Sequence, residues 1–288
     1  MRVLVIGSSG WIGSQCVQLL RSLGHEVVDS NIRIDNYGSI GLELDSVKPS
    51  HVILAAGKTG RPNVDWCEDN KIETLETNTL GTGVVFSETH RRALPCYYLG
   101  TGCIYEYDDE HQINGIGFTE DDEPNFEKSW YSHTKLLAEK ISKPYPNVCV
   151  LRIRMPISSD FSPRSFITKI VNYQKVVDVP NSMTVLDDLL PLIPVMMERQ
   201  IFGIWNFCNQ GTLSHNEILS LYEHKVDPEH QTTNFTLDEQ AKILKTGRSN
   251  NALNCSKLMT LFPNIPHIKD SIITVINNLA HLKSNQSL

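Results

Sequence analysis

The stretch MRVLVIGSSGWIG, residues 1–13, decides the fold. RVLVI at 2–6 is a short, β-branched, apolar run, suited to a strand buried on both faces of a parallel sheet. Glycines come directly after it at 7, 10 and 13, and a helical pattern runs on through Gln15–Ser22. Such a turn between a first strand and a first helix lets the backbone approach a pyrophosphate. The helix start adds unpaired N–H donors and the positive end of its dipole. The spacing is GxxGxxG rather than the commoner GxGxxG. A tight strand–helix turn with no ligand accounts for the same glycines, so the turn takes its meaning from the rest of the chain.

Strands and helices alternate after this turn. A second strand fits His25–Val28, a helix covers roughly 39–47, and the apolar run HVILAAG occupies 51–57. Residues 66–94 read as one helical stretch, with Gly81 and Gly83 inside it and Pro95 at its stop. CYYLGT (96–101) reads as a strand, YSHTKLLAEKI (131–141) as a helix and VCVLRIRM (148–155) as a strand. This is the rhythm of an α/β protein with a doubly wound parallel sheet. Beyond Met155–Pro156 the elements shorten, ending in a helix near 268–283. The expected division is a dinucleotide-binding domain over 1–156 and a smaller C-terminal lobe over 157–288, some of whose segments return to the first sheet.

Composition narrows the function. With 288 residues the chain is longer than one compact core usually holds, and 40% apolar with 20% charged residues is ordinary for a soluble protein. A net charge of −7 speaks against nucleic acid or an anionic membrane as partner, while a few local arginines still suffice for a phosphorylated ligand. Seven scattered cysteines, without a CxxC, suggest neither a disulfide framework nor a zinc site, and no metal is expected. Free thiols, no signal-like start and no apolar stretch near the ~20 residues of a membrane span give the expectation of a cytoplasmic protein. The acidic runs DDE (108–110) and EDDE (120–123) and the scattered histidines read as solvated loop groups.

Chemistry enters with Tyr131 and Lys135, four apart and so on one helix face. A phenol has a pKa near ~10, and an adjacent ammonium lowers it, making tyrosine a usable proton donor to a carbonyl oxygen. Thr101, at the end of CYYLGT, is placed to hold that oxygen. For the cofactor, Gly7, Ser9, Gly10, Trp11, Ile12 and Gly13 form the first turn, and Ala55, Ala56 and Gly57 end the third strand. After the second strand, Asp29 suits a ribose diol and Arg33 a 2′-phosphate. The reading favours Arg33 and NADPH, with NADH as the alternative. The loop GKTGRPNVDWCE offers Lys58, Arg61, Asn63 and Asp65 to a substrate, and Asn78 either to the site or to strand backbone.

With these residues in place, the sequence resembles extended short-chain dehydrogenases/reductases of the Rossmann class acting on nucleotide sugars. AAGKTGRPNVDWCE, TGCIYEYD, GIGFTEDDEPNF, LRIRMPISSD, FITKI, VPNSMTVLDDLLP, GIWNF, SHNEIL and RSNN (248–251) are similar to the bifunctional 4-keto-6-deoxyglucose 3,5-epimerase/4-reductases that complete nucleotide-activated L-rhamnose. The resemblance implies NADPH-dependent reduction at C4, after epimerisation at C3 and C5, of a UDP- or dTDP-linked 4-keto-6-deoxy-D-glucose. It implies that Cys103 is an acid/base, as a cysteine is in the related GDP-fucose synthases, with Lys169 of FITK as its partner. Two residues past Thr101 on an extended strand, Cys103 is expected on the same side as the threonine. Asn181, Arg248 and Asn250 are implied to hold the nucleotide diphosphate. A homodimer through helices near 70–93 and 131–143 is implied by the family. Where dehydratase relatives carry an acidic pair, Gly102–Cys103 stands here, so the upstream dehydration is not expected. Two other readings stand beside this one: a reductase that leaves epimerisation to another enzyme, and a non-catalytic NAD(P)-sensing protein.

Overall fold

The computed structural model describes residues 1–61 and 63–286. In chain order the elements begin β1 (Arg2–Ile6), α1 (Trp11–Ser22), β2 (Glu26–Asp29), α2 (Tyr37–Val47), β3 (His51–Leu54), α3 (Trp66–Asp69) and α4 (Lys71–Leu75). A π-helical turn (Glu76–Gly81) leads into α5 (Thr82–Arg91), β4 (Cys96–Thr101), α6 (Trp130–Ser142) and β5 (Val148–Ile153). Then come α7 (Phe166–Val171), β6 (Lys175–Val176), α8 (Leu186–Leu189), α9 (Leu192–Glu198) and β7 (Gly203–Asn206). The chain ends with α10 (His215–Lys225), β8 (Thr233–Asn234), α11 (Leu237–Ile243), α12 (Ser256–Leu261) and α13 (Ile268–Gln286). Two compact units result, one of residues 1–104, 124–152 and 190–205, the other of 105–123, 153–189 and 206–288.

The first unit is built on a six-stranded sheet in the order β2-β1-β3-β4-β5-β7. β1 pairs in parallel with both β2 and β3, and β3 with β4. Val3–Ile6 and Val52–Leu54 are buried, as strands covered on both faces require. Strand order reverses about β1, and in open α/β sheets the crevice at that reversal, beyond the carboxyl ends of the strands, is where ligands bind. Leu4, Ile6, Val52, Leu54, Phe86, Tyr98 and Val150 make one core with Ile40 and Leu44 of α2 and Ala138 of α6.

The helical stretch expected over 66–94 is not continuous. Asn70 breaks it between α3 and α4, and residues 76–81 widen into a π turn before α5. The second unit includes 105–123, a stretch lying inside the span expected for the first domain. Its core joins Ile167 and Ile170 of α7, Ile218 and Tyr222 of α10 and Ile272, Val275 and Leu279 of α13, with Ile157, Met183 and Val185 from the intervening segments. Within it, 105–123 is held by side-chain contacts. The His111 ring stacks on Phe118 at 3.8 Å and its Nδ1 lies 3.0 Å from Asp108. Asp122 accepts from the Thr119 amide and hydroxyl. The expectation that the acidic runs and histidines are all solvated loop groups is therefore corrected, for His111 and again for buried His215.

Candidate active site

The three glycines of the first turn have different reasons to be glycine. Gly7 has φ +88°, and a Cβ there would lie 2.6 Å from the Ala56 nitrogen, where β1 and β3 end side by side. A Cβ on Gly13 would lie 2.1 Å from the Gly7 carbonyl oxygen, so close packing of α1 on its strand excludes any side chain. Gly10 is another matter. It caps α1 in an ordinary extended conformation, and its nearest obstacle is the Gly7 oxygen at 3.1 Å. A ligandless turn thus explains Gly7 and Gly13 fully and Gly10 least. The amides of Trp11, Ile12 and Gly13 have no partner among the described residues, as the first turn of a helix leaves them. The surroundings fit a dinucleotide pyrophosphate: a small cap, three donors and a positive dipole end. Ser9 is exposed on this turn, while the Ser8 hydroxyl bonds the Ser30 carbonyl at 3.2 Å.

At the end of β2, Asp29 accepts from Arg21 at 2.9 Å, and Arg33 forms two bonds with Asp35 at 3.1 and 2.6 Å. The Arg33 side chain is 65% exposed, so its ion pair contributes little and yields readily to a competing anion. Lys58 pairs with Glu73 and lies 5.7 Å from the Trp66 ring centroid. Arg61 is exposed on the loop, and Asn63 accepts from the Asp65 amide at 2.8 Å, shaping the turn into α3. Asn78 is spent on the Lys58 backbone and on the Thr134 hydroxyl, to which it donates at 3.3 Å. It accepts from the Lys58 amide at 2.7 Å and donates to the Lys58 carbonyl at 2.9 Å. The π turn supplies this residue, and Thr79 beside it donates to the Thr134 carbonyl at 2.8 Å. Widened helical turns recur at functional sites because they re-aim side chains, and this one fastens the end of β3 toward α6.

Helix α6 starts on a Ser129 cap that accepts from the Ser132 amide, and Glu68 accepts from the Trp130 amide at 2.7 Å. A carboxylate at a helix start complements its dipole. One turn in, Lys135 is buried, donating to the Leu99 carbonyl at 3.0 Å and lying 4.2 Å from the Tyr98 ring centroid. Burial pushes its pKa down to about 7, against the pull of the Glu139 carboxylate and, more weakly, of Cys103. Tyr131 is half-buried on the same helix face. Thr101 closes β4, and Cys103 lies in the turn beyond it rather than on an extended strand. The strand-alternation argument for Cys103 is corrected accordingly. It is the turn, with the Cys103 amide donating to Thr101 Oγ1 at 3.1 Å, that brings thiol and threonine together. That bond leaves the threonine O–H to donate. All seven cysteines are thiols, and Cys103 alone of them is not buried.

In the second unit, Lys169 stands on α7, half-buried, its pKa lowered by desolvation and then by Arg164. Its ammonium has no hydrogen-bond or ion-pair partner among the described residues. Asn181 is fully buried. Its side-chain oxygen accepts from Arg154 and from the Asn251 amide at 3.0 Å, and its amide donates to Asn250 Oδ1 at 2.9 Å. Asn181 therefore shapes the 248–251 loop from inside. Arg154 also donates to the Ser249 hydroxyl at 3.1 Å and carbonyl at 3.0 Å. The Asn250 carbonyl accepts from the Tyr107 amide at 2.9 Å. Arg248 and Asn250 are half-buried beside this clamp.

Sequence reasoning missed Arg154, as it missed buried Arg152, which makes two bonds to Glu139 at 2.9 and 2.7 Å. The signal was present: two arginines in an otherwise apolar strand, each of which must find partners if enclosed. His215 is buried too, its ring edge against Phe166 at 5.2 Å, and burial pushes its pKa down to about 4. Among the described residues no three His, Cys, Asp or Glu side chains gather as a metal site, and no helix is long and apolar enough to cross a membrane.

A model of the NAD dependent epimerase/dehydratase family matches residues 3–193. With the glycine turn at a sheet's reversal point and a Tyr–Lys pair beyond β4, the chain belongs to this family, whose cofactor is a nicotinamide dinucleotide. Its place within the family comes from nearer relatives. The bifunctional dTDP-4-dehydrorhamnose 3,5-epimerase/dTDP-4-dehydrorhamnose reductase of Arabidopsis thaliana is 50% identical over 95% of this chain and 91% of that protein. A trifunctional UDP-glucose 4,6-dehydratase/UDP-4-keto-6-deoxy-D-glucose 3,5-epimerase/UDP-4-keto-L-rhamnose-reductase of the same plant is 48% identical over 95% of this chain, which spans 41% of it. The crystal structure of a UDP-rhamnose synthase from Acanthamoeba polyphaga mimivirus superposes with a TM-score of 0.92 at 37% identity, covering 96% of this chain and 99% of that one. A dTDP-4-dehydrorhamnose reductase from Clostridium acetobutylicum shares the fold, with a TM-score of 0.83 at 20% identity over 97% of this chain and 99% of that one.

Proposed function

We propose that the chain converts a UDP- or dTDP-linked 4-keto-6-deoxy-D-glucose into the L-rhamnose nucleotide, inverting C3 and C5 and then reducing the ketone at C4 with NADPH. One observation carries this reading: a partly exposed thiol, Cys103, shares the β4 end with Thr101, near the Tyr131–Lys135 pair. A reductase needs only the latter three. The names of the bifunctional and trifunctional plant relatives support the same reading.

The hydrogens on C3 and C5 are both α to the ketone, so a base removes either as negative charge builds on O4. Thr101 and Tyr131 donate to that oxygen. Cys103 and Lys169 serve as acid and base at the two carbons; the lowered pKa of Lys169 makes its neutral amine more accessible. Reduction removes the acidity of C3 and C5, so epimerisation comes first. NADPH held by these residues would supply the hydride to C4. Tyr131 protonates O4, while Lys135 holds the ribose and favours the phenolate. The turn amides of Trp11, Ile12 and Gly13, with Ser9 and Gly10, hold the pyrophosphate next to Gly7, Ala55, Ala56 and Gly57. Arg33 turns from Asp35 to the 2′-phosphate. Lys58, Arg61 and Asn63 face the substrate, and Arg248 with Asn250, positioned by Asn181, takes its diphosphate. The setting is the reducing cytosol, and the assembly a homodimer through the helices at 70–93 and 131–143.

The test is product analysis with the chain, NADPH and the ketone nucleotide as the only additions. The L-rhamnose nucleotide is the expected product. Reduced sugar with C3 and C5 unchanged, corrected only by adding a separate epimerase, would leave a reductase alone; no turnover at all would leave a cofactor sensor.

A further inference from the structure

Behind Lys135 lies a second layer of charge. Glu139 is one helical turn further along α6, and Arg152 reaches it from β5 with Nε donating to Oε2 at 2.9 Å and Nη2 to Oε1 at 2.7 Å. Both side chains are almost wholly enclosed, at 5% and 2% exposure. An enclosed ion pair is a poor source of stability, since apolar residues of like volume do as well or better. Three ionisable side chains stacked inward from the site therefore call for a reason beyond packing. We propose that Arg152 is a positioning residue: by holding Glu139 in a two-bond ion pair one turn behind Lys135, it keeps a fixed negative charge facing the buried lysine.

Among the described residues, Tyr98 and the Leu99 carbonyl from β4, Cys103 from the turn after it and Glu139 from α6 face Lys135, with Tyr131 one turn back on the same helix. Glu139 is the strongest of them in holding the charge, and burial opposes it. Without Arg152, the Glu139 side chain loses the two bonds that fix it, and the lysine loses that support. The inference rests on the proposed role of the Tyr131–Lys135 pair.

The test reads the lysine itself. In ligand-free protein with isotope-labelled lysines, the Lys135 signal is assigned by its loss in Lys135→Met and titrated in wild type and variants. Glu139→Gln leaves the arginine unanswered and is at risk of misfolding, so Glu139→Gln/Arg152→Met, which removes both charges, is measured beside it. The midpoint should fall by about one pH unit or more in either variant, and by less in Arg152→Lys, which retains the charge. An unmoved midpoint in the double variant overturns the proposal. The alkaline limb of kcat/KM for reduction of an already epimerised ketone should shift to lower pH with the midpoint. A limb that stays while the midpoint moves would count against the catalytic role of Lys135 and leave the charge device standing.

Discussion

The two units hold their candidate residues by different means. In the first, position comes from regular backbone: Gly7 and Ala56 lie where adjacent parallel strands end, Thr101 closes β4, and Tyr131 and Lys135 share a helix face. In the second, position comes from side chains. Arg154 and Asn181 clamp the 248–251 loop, and the Ser249 hydroxyl and the Asn251 amide group both donate to the Tyr105 carbonyl, at 2.6 and 2.9 Å. Strands and helices tolerate the loss of one contact because many others repeat it. A clamp of singular hydrogen bonds does not.

That difference is open to direct attack, most severely at Arg154. Arg154→Met leaves the Ser249 carbonyl and part of the Asn181 oxygen without donors and should cost about 4 kcal/mol in urea unfolding. Amide exchange should quicken at 179–182 and 249–251 while β1 and β3 stay protected. In the first unit, the glycine turn separates packing from binding. Gly13→Ala drives a methyl into the Gly7 carbonyl and should cost about 3 kcal/mol. Gly10→Ala should cost only about 1 kcal/mol, as a poorer helix cap, yet weaken NADPH binding by about tenfold or more, read by fluorescence titration.

A further effect concerns pH. His215 titrates near 4 in the folded protein against 6.5 unperturbed. Between those values the unfolded chain binds a proton that the folded one refuses. Stability is therefore fully present above pH ~6.5 and falls as pH drops toward ~4, by up to about 3 kcal/mol. His215→Leu should flatten that slope, measured as the difference between urea midpoints at pH 7 and 4.5.

The same contrast governs what could be read from the sequence. RVLVI, GSSGWIG and YSHTK announce themselves because regular structure imposes a period, and the sheet, the turn and the Tyr–Lys pair are legible from it. The π turn is not: TNTLGT (77–82) is poor in helix formers, but no period marks an extra residue in the turn, and the bonds from Asn78 to Lys58 that it serves join positions twenty apart. Cys103 aligns with Thr101 on strand periodicity that ends one residue before Gly102; a turn, invisible to that rule, brings them together. Arg152 and Arg154 look like two strand residues. Their burial, and hence their need for Glu139 and Asn181, depends on neighbours distant in sequence. Lys169 is legible only by resemblance, since no spacing marks it.

The central claim is that one chain performs two chemistries in order, carbon acid exchange with Cys103 and then reduction with Tyr131. It is tested most directly by incubating the protein with the 4-keto-6-deoxyglucose nucleotide in deuterium oxide, without cofactor. Deuterium should enter both C3 and C5, and Cys103→Ser should slow that entry by about a hundredfold while still reducing an already epimerised ketone when NADPH is added. No deuterium in the wild type, or equal loss of exchange and reduction in Cys103→Ser, would contradict it.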